Sequence, residues 1–333
     1  MTKYLTLLGL LILTSCTRLK DIPVETSFQG INSEFSNQEP INILTVHGLG
    51  GYAKGNPEFF EKTIKQKLKL TQVENPITRH IFKGNDYYGY LVHTDFKNAS
   101  HTVRIYNLFW YPTTALARST LEKIDEQSSS NRMEMVQEMK EKYVDNTLAD
   151  AVLYVSDYRK EIQYPFEKSF EWIVNEIKGQ QITIVGYSLG STIVIDTLDE
   201  MKNQGVALDF IKQMKEIFML SNPSPLFELS KWNRVTEQFS WEWKDWSIGR
   251  IVSEKRKYSP NFKVIAFSDP NDPLSYIVEN YYIPSDSGWQ NAFKNIQVRN
   301  IKWAIFGMIN PIEAHTGYGR NKKVLDMIIF GNE

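Results

Sequence analysis

The sequence predicts an α/β fold: a mostly parallel central sheet flanked by helices, with helical insertions. Short apolar, β-branched runs recur along the chain, helical patterns lie between most of them, and no internal repeat is visible. Parallel strands that are buried on both faces read as continuous apolar runs of this kind. The predicted strands are Ile43–Val46, Val103–Leu108, Ile182–Val185, Ile217–Leu220, Val264–Phe267 and Ile296–Ile301.

The helical patterns that alternate with these runs cover 57–70, 189–201 and 318–330. Strands alternating with helices favour a parallel sheet covered on both faces. Two stretches, 113–177 and 225–260, are too long for simple connections and are predicted to be insertions. The second holds four tryptophans and is a candidate lid, although plain packing explains them equally well. They are Trp232, Trp241, Trp243 and Trp246.

Composition narrows the range of partners. The 333 residues include 38 basic and 39 acidic residues, for a net charge of −1. Without a basic field, nucleic acid is not an expected partner. Cys16 is the only cysteine, so the chain can form no internal disulfide and no cysteine-based metal site. We expect neither a metal nor a cofactor.

The N-terminus is typical of an export signal. Lys3 precedes an apolar run at 4–13, which is too short to span a bilayer as a helix but fits the apolar region of a signal peptide. The following Leu13-Thr14-Ser15-Cys16 resembles the lipobox of bacterial lipoproteins. That resemblance implies lipidation of Cys16, removal of residues 1–15 and anchoring in a membrane.

Thr17, where an aspartate would indicate retention at the inner membrane, favours the outer membrane or cell envelope by the same resemblance. Residues 16–40 are predicted to be the lipidated cysteine and a flexible tether, with a reach of about 25–30 Å. Residues 41–333 are predicted to form the folded domain.

The main chemical signal is Gly186-Tyr187-Ser188-Leu189-Gly190, placed between a predicted strand and a predicted helix. A G-x-S-x-G turn in this context holds the serine in strained backbone geometry and exposes its hydroxyl at a helix N-terminus. Glycine is needed at Gly186 and Gly190 because side chains there would collide with the tight turn. This pattern predicts a nucleophilic serine, Ser188.

The chain therefore resembles the α/β-hydrolases over about residues 41–330, and a second motif agrees. His47-Gly48-Leu49-Gly50-Gly51 follows the first predicted strand and resembles the His-Gly loop of lipases and esterases. The resemblance implies an oxyanion hole formed by the backbone N–H groups of Leu49 and Leu189, with His47 holding the loop through a hydrogen bond. A phosphate-binding glycine loop is disfavoured, because the Rossmann spacing and the P-loop lysine are both missing.

The fold also implies the chain order serine, acid, histidine. Asp269 and Asp272 follow the predicted strand 264–267, and the resemblance favours Asp272 as the acid while Asp269 suits a turn before Pro270. His315 lies between the last predicted strand and the last predicted helix. The remaining histidines, His47 included, precede the serine. His315 is therefore the predicted general base.

Together these features predict a serine hydrolase that cleaves a carboxylic ester through an acyl-enzyme, with an acyl lipid as one candidate substrate. A thioesterase, or a peptidase or amidase, on the same fold is the first alternative. A non-catalytic, surface-tethered binding protein on a hydrolase scaffold is the second. The fold hosts many chemistries and does not decide among them.

Overall fold

The computed structural model describes most of the chain from Cys16 onward. The described residues are 16–36, 39–50, 55–126, 133–140, 147–231, 245–277, 292–305 and 308–332. The N-terminal apolar run therefore lies outside them. Within these ranges, no helix is long and apolar enough to cross a membrane.

Among the described residues, nine strands form one central sheet, and four short strands form two separate ribbons. The central strands are β3 (Ile41–Val46), β4 (Thr71–Gln72), β5 (Ile77–Lys83), β6 (Asp86–Lys97), β7 (Thr102–Phe109), β8 (Ile182–Tyr187), β9 (Met214–Leu220), β10 (Lys263–Ser268) and β11 (Phe293–Gln297). The ribbon strands are β1 (Cys16–Arg18), β2 (Phe28–Gln29), β12 (Trp303–Ile305) and β13 (Gly331–Asn332).

The sheet runs in the order β11-β10-β9-β8-β3-β7-β6-β4, and β5 also pairs with β6. Every pairing from β11 to β7 is parallel, whereas β4, β5 and β7 pair with β6 in the antiparallel sense. The predicted α/β class with a mostly parallel sheet is confirmed. This order places the carboxyl ends of β3, β8, β9 and β10 side by side at one edge.

Helices cover both faces of the sheet. They are α1 (Gly55–Lys67), α2 (Ala115–Glu126), α3 (Glu134–Met139), α4 (Ala149–Tyr154), α5 (Arg159–Ile177), α6 (Leu189–Asn203), α7 (Leu208–Gln213), α8 (Ser224–Glu228), α9 (Ser247–Arg256), α10 (Pro311–Thr316) and α11 (Lys322–Phe330). One core lies between the sheet and α5, α6 and α9, and a second lies between the sheet and α1 and α11. Neighbouring residues of β3 enter different cores, Ile43 the second and Leu44 the first, as strand alternation requires.

Several predicted boundaries were wrong. The last strand of the sheet is Phe293–Gln297 rather than 296–301, and the last α-helix begins at Lys322, after a 3₁₀ turn at Gly317–Arg320. The hairpin of β5 and β6 was missed. Most residues of β5 are exposed, and β6 is buried only at alternate positions for much of its length, so both contain polar residues that interrupt the continuous apolar run of a central strand.

The two predicted insertions are partly core structure. From the stretch 113–177, α5 buries Ile162, Phe166 and Ile173 in the first core, so it is the helix that connects β7 to β8. From the stretch 225–260, α9 buries Ile251 against the same core. Residues 232–244 of the candidate lid, with three of its tryptophans, lie outside the described residues; Trp246 is buried in the core.

The predicted tether at 16–40 is also corrected where the structure describes it. Phe28 and Ile31 are buried in the second core, and β2 pairs with β13 at the C-terminus. Cys16–Arg18 pairs with Trp303–Ile305. Isolated apolar residues without a period gave no sign of this packing in the sequence. The folded body thus includes residues that were assigned to the tether.

Candidate active site

Ser188 lies at the sharp turn between β8 and α6. Its backbone has φ 47° and ψ −126°, a conformation that non-glycine residues seldom adopt. The Ser188 N–H donates to the carbonyl of Leu220 at 2.7 Å, and its own carbonyl accepts the Ser191 hydroxyl at 2.7 Å. These bonds hold the strained turn in place from two sides.

Three glycines let the turn approach its surroundings. A Cβ at Gly186 would lie 2.5 Å from the Cα of Ser191, and one at Gly190 would lie 2.3 Å from the carbonyl oxygen of His47. A Cβ at Gly48 would lie 2.9 Å from the Cβ of Ser188. The loop after β3 therefore contacts the serine turn directly, and any larger residue at these positions would separate them.

The Ser188 side chain is buried, and its Oγ has no hydrogen-bond partner among the described residues. His315 is thus not bonded to it in this structure. Hydrogen bonds of catalytic groups are often long without substrate and tighten when substrate binds. Leu189, the first residue of α6, follows the serine directly, and the first N–H groups of a helix have no acceptor within it.

His47 is fully buried beneath the loop. Its Nδ1 donates to the Gly48 carbonyl at 2.8 Å, and its Nε2 accepts the backbone N–H groups of Trp110 and Tyr111 at 3.1 and 3.2 Å. The imidazole stacks on the Trp110 indole, with centroids 4.9 Å apart. Burial lowers the pKa of His47 to about 3. The ring is therefore neutral and fixes the path of the loop that carries Leu49.

A buried ion pair holds the next residue of the loop, and sequence reasoning missed it. The Gly50 N–H donates to Asp150 Oδ2 at 2.8 Å, and Arg118 Nη1 donates to Asp150 Oδ1 at 3.0 Å. Arg118 also donates to the Tyr111 carbonyl at 2.8 Å. Burial raises the pKa of Asp150, and the Arg118 charge acts against this shift. Both residues lie in a charged helical stretch whose pattern alone indicates a solvated face.

At the same edge of the sheet, Asp272 is bonded to His315. Its Oδ1 lies 2.9 Å from His315 Nδ1 and accepts the Leu274 N–H at 2.9 Å, and its Oδ2 accepts the Tyr318 hydroxyl at 2.9 Å. Burial acts to raise the pKa of Asp272, but hydrogen bonds from His315, Ser221 and Leu274 outweigh it and the pKa lies below its usual value. The carboxyl group is therefore ionised at neutral pH.

Asp269 has a different set of partners. Its Oδ1 accepts the backbone and side-chain N–H groups of Asn271, and its Oδ2 accepts the Asn300 N–H at 2.6 Å. These bonds close the turn after β10 and join it to the segment that follows β11. Asp269 does not hydrogen-bond to His315, so of the two aspartates it is Asp272 that orients the imidazole.

His315 was expected in a loop, but it lies in the last turn of the short helix α10. Asn310 caps this helix, with its Oδ1 accepting the Ile312 N–H at 3.0 Å. Asn300 Nδ2 donates to the Ala314 carbonyl at 2.6 Å. The cap and the Asn300 bond fix the helix, and the helix fixes the imidazole beside Asp272.

Ser221 is a further site residue that the sequence did not reveal. It follows β9, is buried with φ 61°, and its Oγ lies 2.9 Å from His315 Nδ1. Its hydroxyl also bonds to Asp272 and helps to lower the pKa of that carboxyl group. Only the pairing of β9 with both β8 and β10 brings this hydroxyl to the site, and no local motif marks it.

The described residues hold no group of three or more His, Cys, Asp or Glu side chains that could bind a metal ion. No protein-family model matches the chain, and no curated protein matches its sequence.

Several solved structures are weakly similar to the chain. One is the product of the gene lin2722 from Listeria innocua, with a TM-score of 0.39 and 10% identity over 86% of this chain and 92% of that one. Another is Est1E from Butyrivibrio proteoclasticus, with a TM-score of 0.29 and 9% identity over 85% and 88%. A third is the NocB thioesterase domain in a covalent fluorophosphonate complex, with a TM-score of 0.31 and 11% identity over 89% and 93%. Because these values are so low, the functional argument depends on the geometry of the site.

Proposed function

We propose that this protein is a serine hydrolase that cleaves a carboxylic ester through an acyl-enzyme on Ser188. One observation carries the proposal. Ser188 lies in a strained turn directly after β8. Asp272, which follows β10 at the same edge of the sheet, is hydrogen-bonded to His315 at 2.9 Å. Structural packing does not require an ionised, buried carboxylate that orients a histidine in this way.

In the proposed reaction, His315 Nε2 takes the proton of the Ser188 hydroxyl as Oγ attacks the ester carbonyl. The backbone N–H groups of Leu49 and Leu189 stabilise the oxyanion. His315 then gives its proton to the leaving alcohol, and the acyl group remains on Ser188. Water then attacks the acyl-enzyme as His315 takes its proton, and His315 returns the proton to Ser188 Oγ as the bond between Oγ and the acyl group breaks and the carboxylic acid leaves. Asp272 stabilises the imidazolium in both steps.

A carboxylic ester is the preferred substrate because the loop at His47 and Gly48 resembles the oxyanion loop of lipases and esterases, and because a membrane anchor would bring the site close to acyl lipids. A thioester, an amide and a peptide bond need the same nucleophile. Measured rates of turnover are therefore needed to distinguish these substrate classes.

The test is a panel of p-nitrophenyl esters of increasing acyl length, together with an acyl thioester and an acyl anilide. We expect ester turnover that is lost in both Ser188→Ala and His315→Ala. Faster turnover of the thioester or the anilide would assign the protein to one of those classes instead. If a well-folded protein turns over none of them, the hydrolase proposal is wrong and the chain is a binding protein on a hydrolase scaffold.

We also propose that Cys16 is lipidated and that the protein is an exported bacterial lipoprotein of the outer membrane or cell envelope. The support is the lipobox-like Leu13-Thr14-Ser15-Cys16 after an apolar run. The mass of the mature protein tests it, since lipidation removes residues 1–15 and adds acyl chains. A Cys16→Ser variant is expected to retain residues 1–15 and to carry no acyl chains.

A further inference from the structure

The residue proposed to carry the lipid lies in a strand. In the ribbon of β1 and β12, Cys16 pairs with Ile305, Thr17 with Ala304 and Arg18 with Trp303. The ribbon continues on one side, where the Leu19 N–H donates to the Lys302 carbonyl at 2.9 Å and Arg299 Nε donates to the Lys20 carbonyl at 2.8 Å. No free linker separates the anchor position from the folded body.

The ribbon exposes a large aromatic side chain. Ala304 is buried, whereas Trp303 beside it is 56% exposed and Met308, a few residues on, is 70% exposed. Trp303 pairs with Arg18, which is also exposed. The anchor position therefore lies two residues along the strand from an exposed pair of one tryptophan and one arginine.

Basic residues are concentrated in the ribbon and the residues next to it. Residues 16–20 and 299–305 contain four basic residues and no acidic one. They are Arg18, Lys20, Arg299 and Lys302. Basic side chains beside an exposed tryptophan are typical of surfaces that rest on the headgroups of an anionic bilayer.

We propose that the β1–β12 ribbon, together with Met308, is a membrane-docking face that holds the body directly on the bilayer carrying the Cys16 lipid. This inference depends on the proposed lipidation. It implies that the folded body has a fixed orientation on the bilayer and is not held by a flexible tether. Asn300 connects the face to the reactive groups, because its N–H donates to Asp269 at 2.6 Å and its side chain to the Ala314 carbonyl at 2.6 Å. The segment that leads into β12 therefore contacts the helix that carries His315.

The test places one environment-sensitive fluorophore, NBD, on the full-length lipidated protein. Cys16 is the only cysteine, and its sulfur is blocked by the lipid, so an introduced cysteine is labelled alone. Trp303→Cys and Met308→Cys report on the docking face. Phe82→Cys and Val206→Cys are matched controls, since these residues are 53% and 57% exposed and lie elsewhere on the body. The labelled proteins are reconstituted into phosphatidylcholine–phosphatidylglycerol vesicles that contain nitroxide-labelled lipid.

We expect a blue shift and strong quenching of NBD at positions 303 and 308, and solvent-like emission without quenching at 82 and 206. Reversing two charges, with Arg18→Glu and Lys302→Glu, is expected to weaken quenching at 308. Equal emission at all four positions, quenched or not, would overturn the proposal, because a tethered body has no fixed face.

Intact mass separates this result from a failure of lipidation. If Cys16 carries no lipid, the lipidation proposal fails by itself. The same labels in a Cys16→Ser background are then mixed with the vesicles. The docking face stands if positions 303 and 308 are quenched selectively in that background, and it is rejected if they are not.

Discussion

The two aspartates after β10 offer the sharpest test of how the site is built. Asp272→Asn changes the group that accepts from His315 Nδ1, Leu274 N–H and the Tyr318 hydroxyl. An asparagine has one acceptor oxygen and one amide donor in place of two acceptors. If the amide faces His315, it stabilises the tautomer with the proton on Nε2, which cannot accept a proton from Ser188. If it faces Tyr318, the imidazolium still loses its negative partner.

The size of the effect follows from this geometry. Replacing the triad acid by asparagine costs about 10⁴-fold in kcat when a wrong tautomer results. That corresponds to about 5 kcal/mol of lost transition-state stabilisation. We therefore expect Asp272→Asn to lower kcat by about this factor, with a much smaller change in KM.

Asp269→Asn is the matched control, since the same chemical change is made three residues away. It weakens bonds to Asn271 and Asn300 and leaves the His315 contact intact. We expect a loss of stability of about 1–3 kcal/mol and a kcat within about tenfold of wild type. Ester turnover at saturating substrate measures kcat, and denaturant unfolding measures stability. If Asp269→Asn lowers kcat more than Asp272→Asn, the assignment of the acid is wrong.

Three further predictions concern the support of the site. Arg118→Met leaves the Asp150 carboxylate buried without its cation and is expected to lower the free energy of unfolding by about 3–5 kcal/mol, measured in urea. The double variant Arg118→Met/Asp150→Asn removes both charges and should lose less stability. An equal or greater loss in the double variant would contradict the prediction. Ser221→Ala removes a hydroxyl 2.9 Å from His315 Nδ1 and is expected to lower kcat by up to about tenfold with KM unchanged; an unchanged kcat would contradict a role for this hydroxyl. The pKa of His47 is about 3 in the folded protein, so at any pH between about 3 and about 6.5 the unfolded chain binds a proton at His47 that the folded protein does not. The free energy of unfolding therefore falls as the pH drops through this range, by about 1.4 kcal/mol per pH unit. A His47→Asn variant should lose this part of the slope, and an unchanged slope would refute the buried neutral imidazole.

The sequence predicts the parts of this protein whose signal is local. Strands β3, β8, β9 and β10 are buried on both faces, so each appears as a continuous apolar run followed by a loop. The site residues in those loops could therefore be predicted from the sequence: His47 follows β3, Ser188 follows β8 and Asp272 follows β10. The serine turn was recognisable because its glycines are dictated by close contacts with neighbouring backbone.

What the sequence did not reveal depends on partners far along the chain. Ser221 becomes part of the site only because β9 lies between β8 and β10 in the sheet. Arg118 and Asp150 look like residues of a solvated helix until their burial is known. Phe28 is one apolar residue in a polar stretch, and only the second core explains why its segment is not a tether.

The central claim is that Ser188 is an activated nucleophile, and covalent labelling tests it most directly. The protein is treated with a fluorophosphonate probe, and the labelled peptide is identified by mass spectrometry. We expect one adduct, on Ser188, that is absent from Ser188→Ala and strongly reduced in His315→Ala. A protein that unfolds cooperatively and yet takes up no probe, both in buffer and in detergent micelles, would contradict the claim.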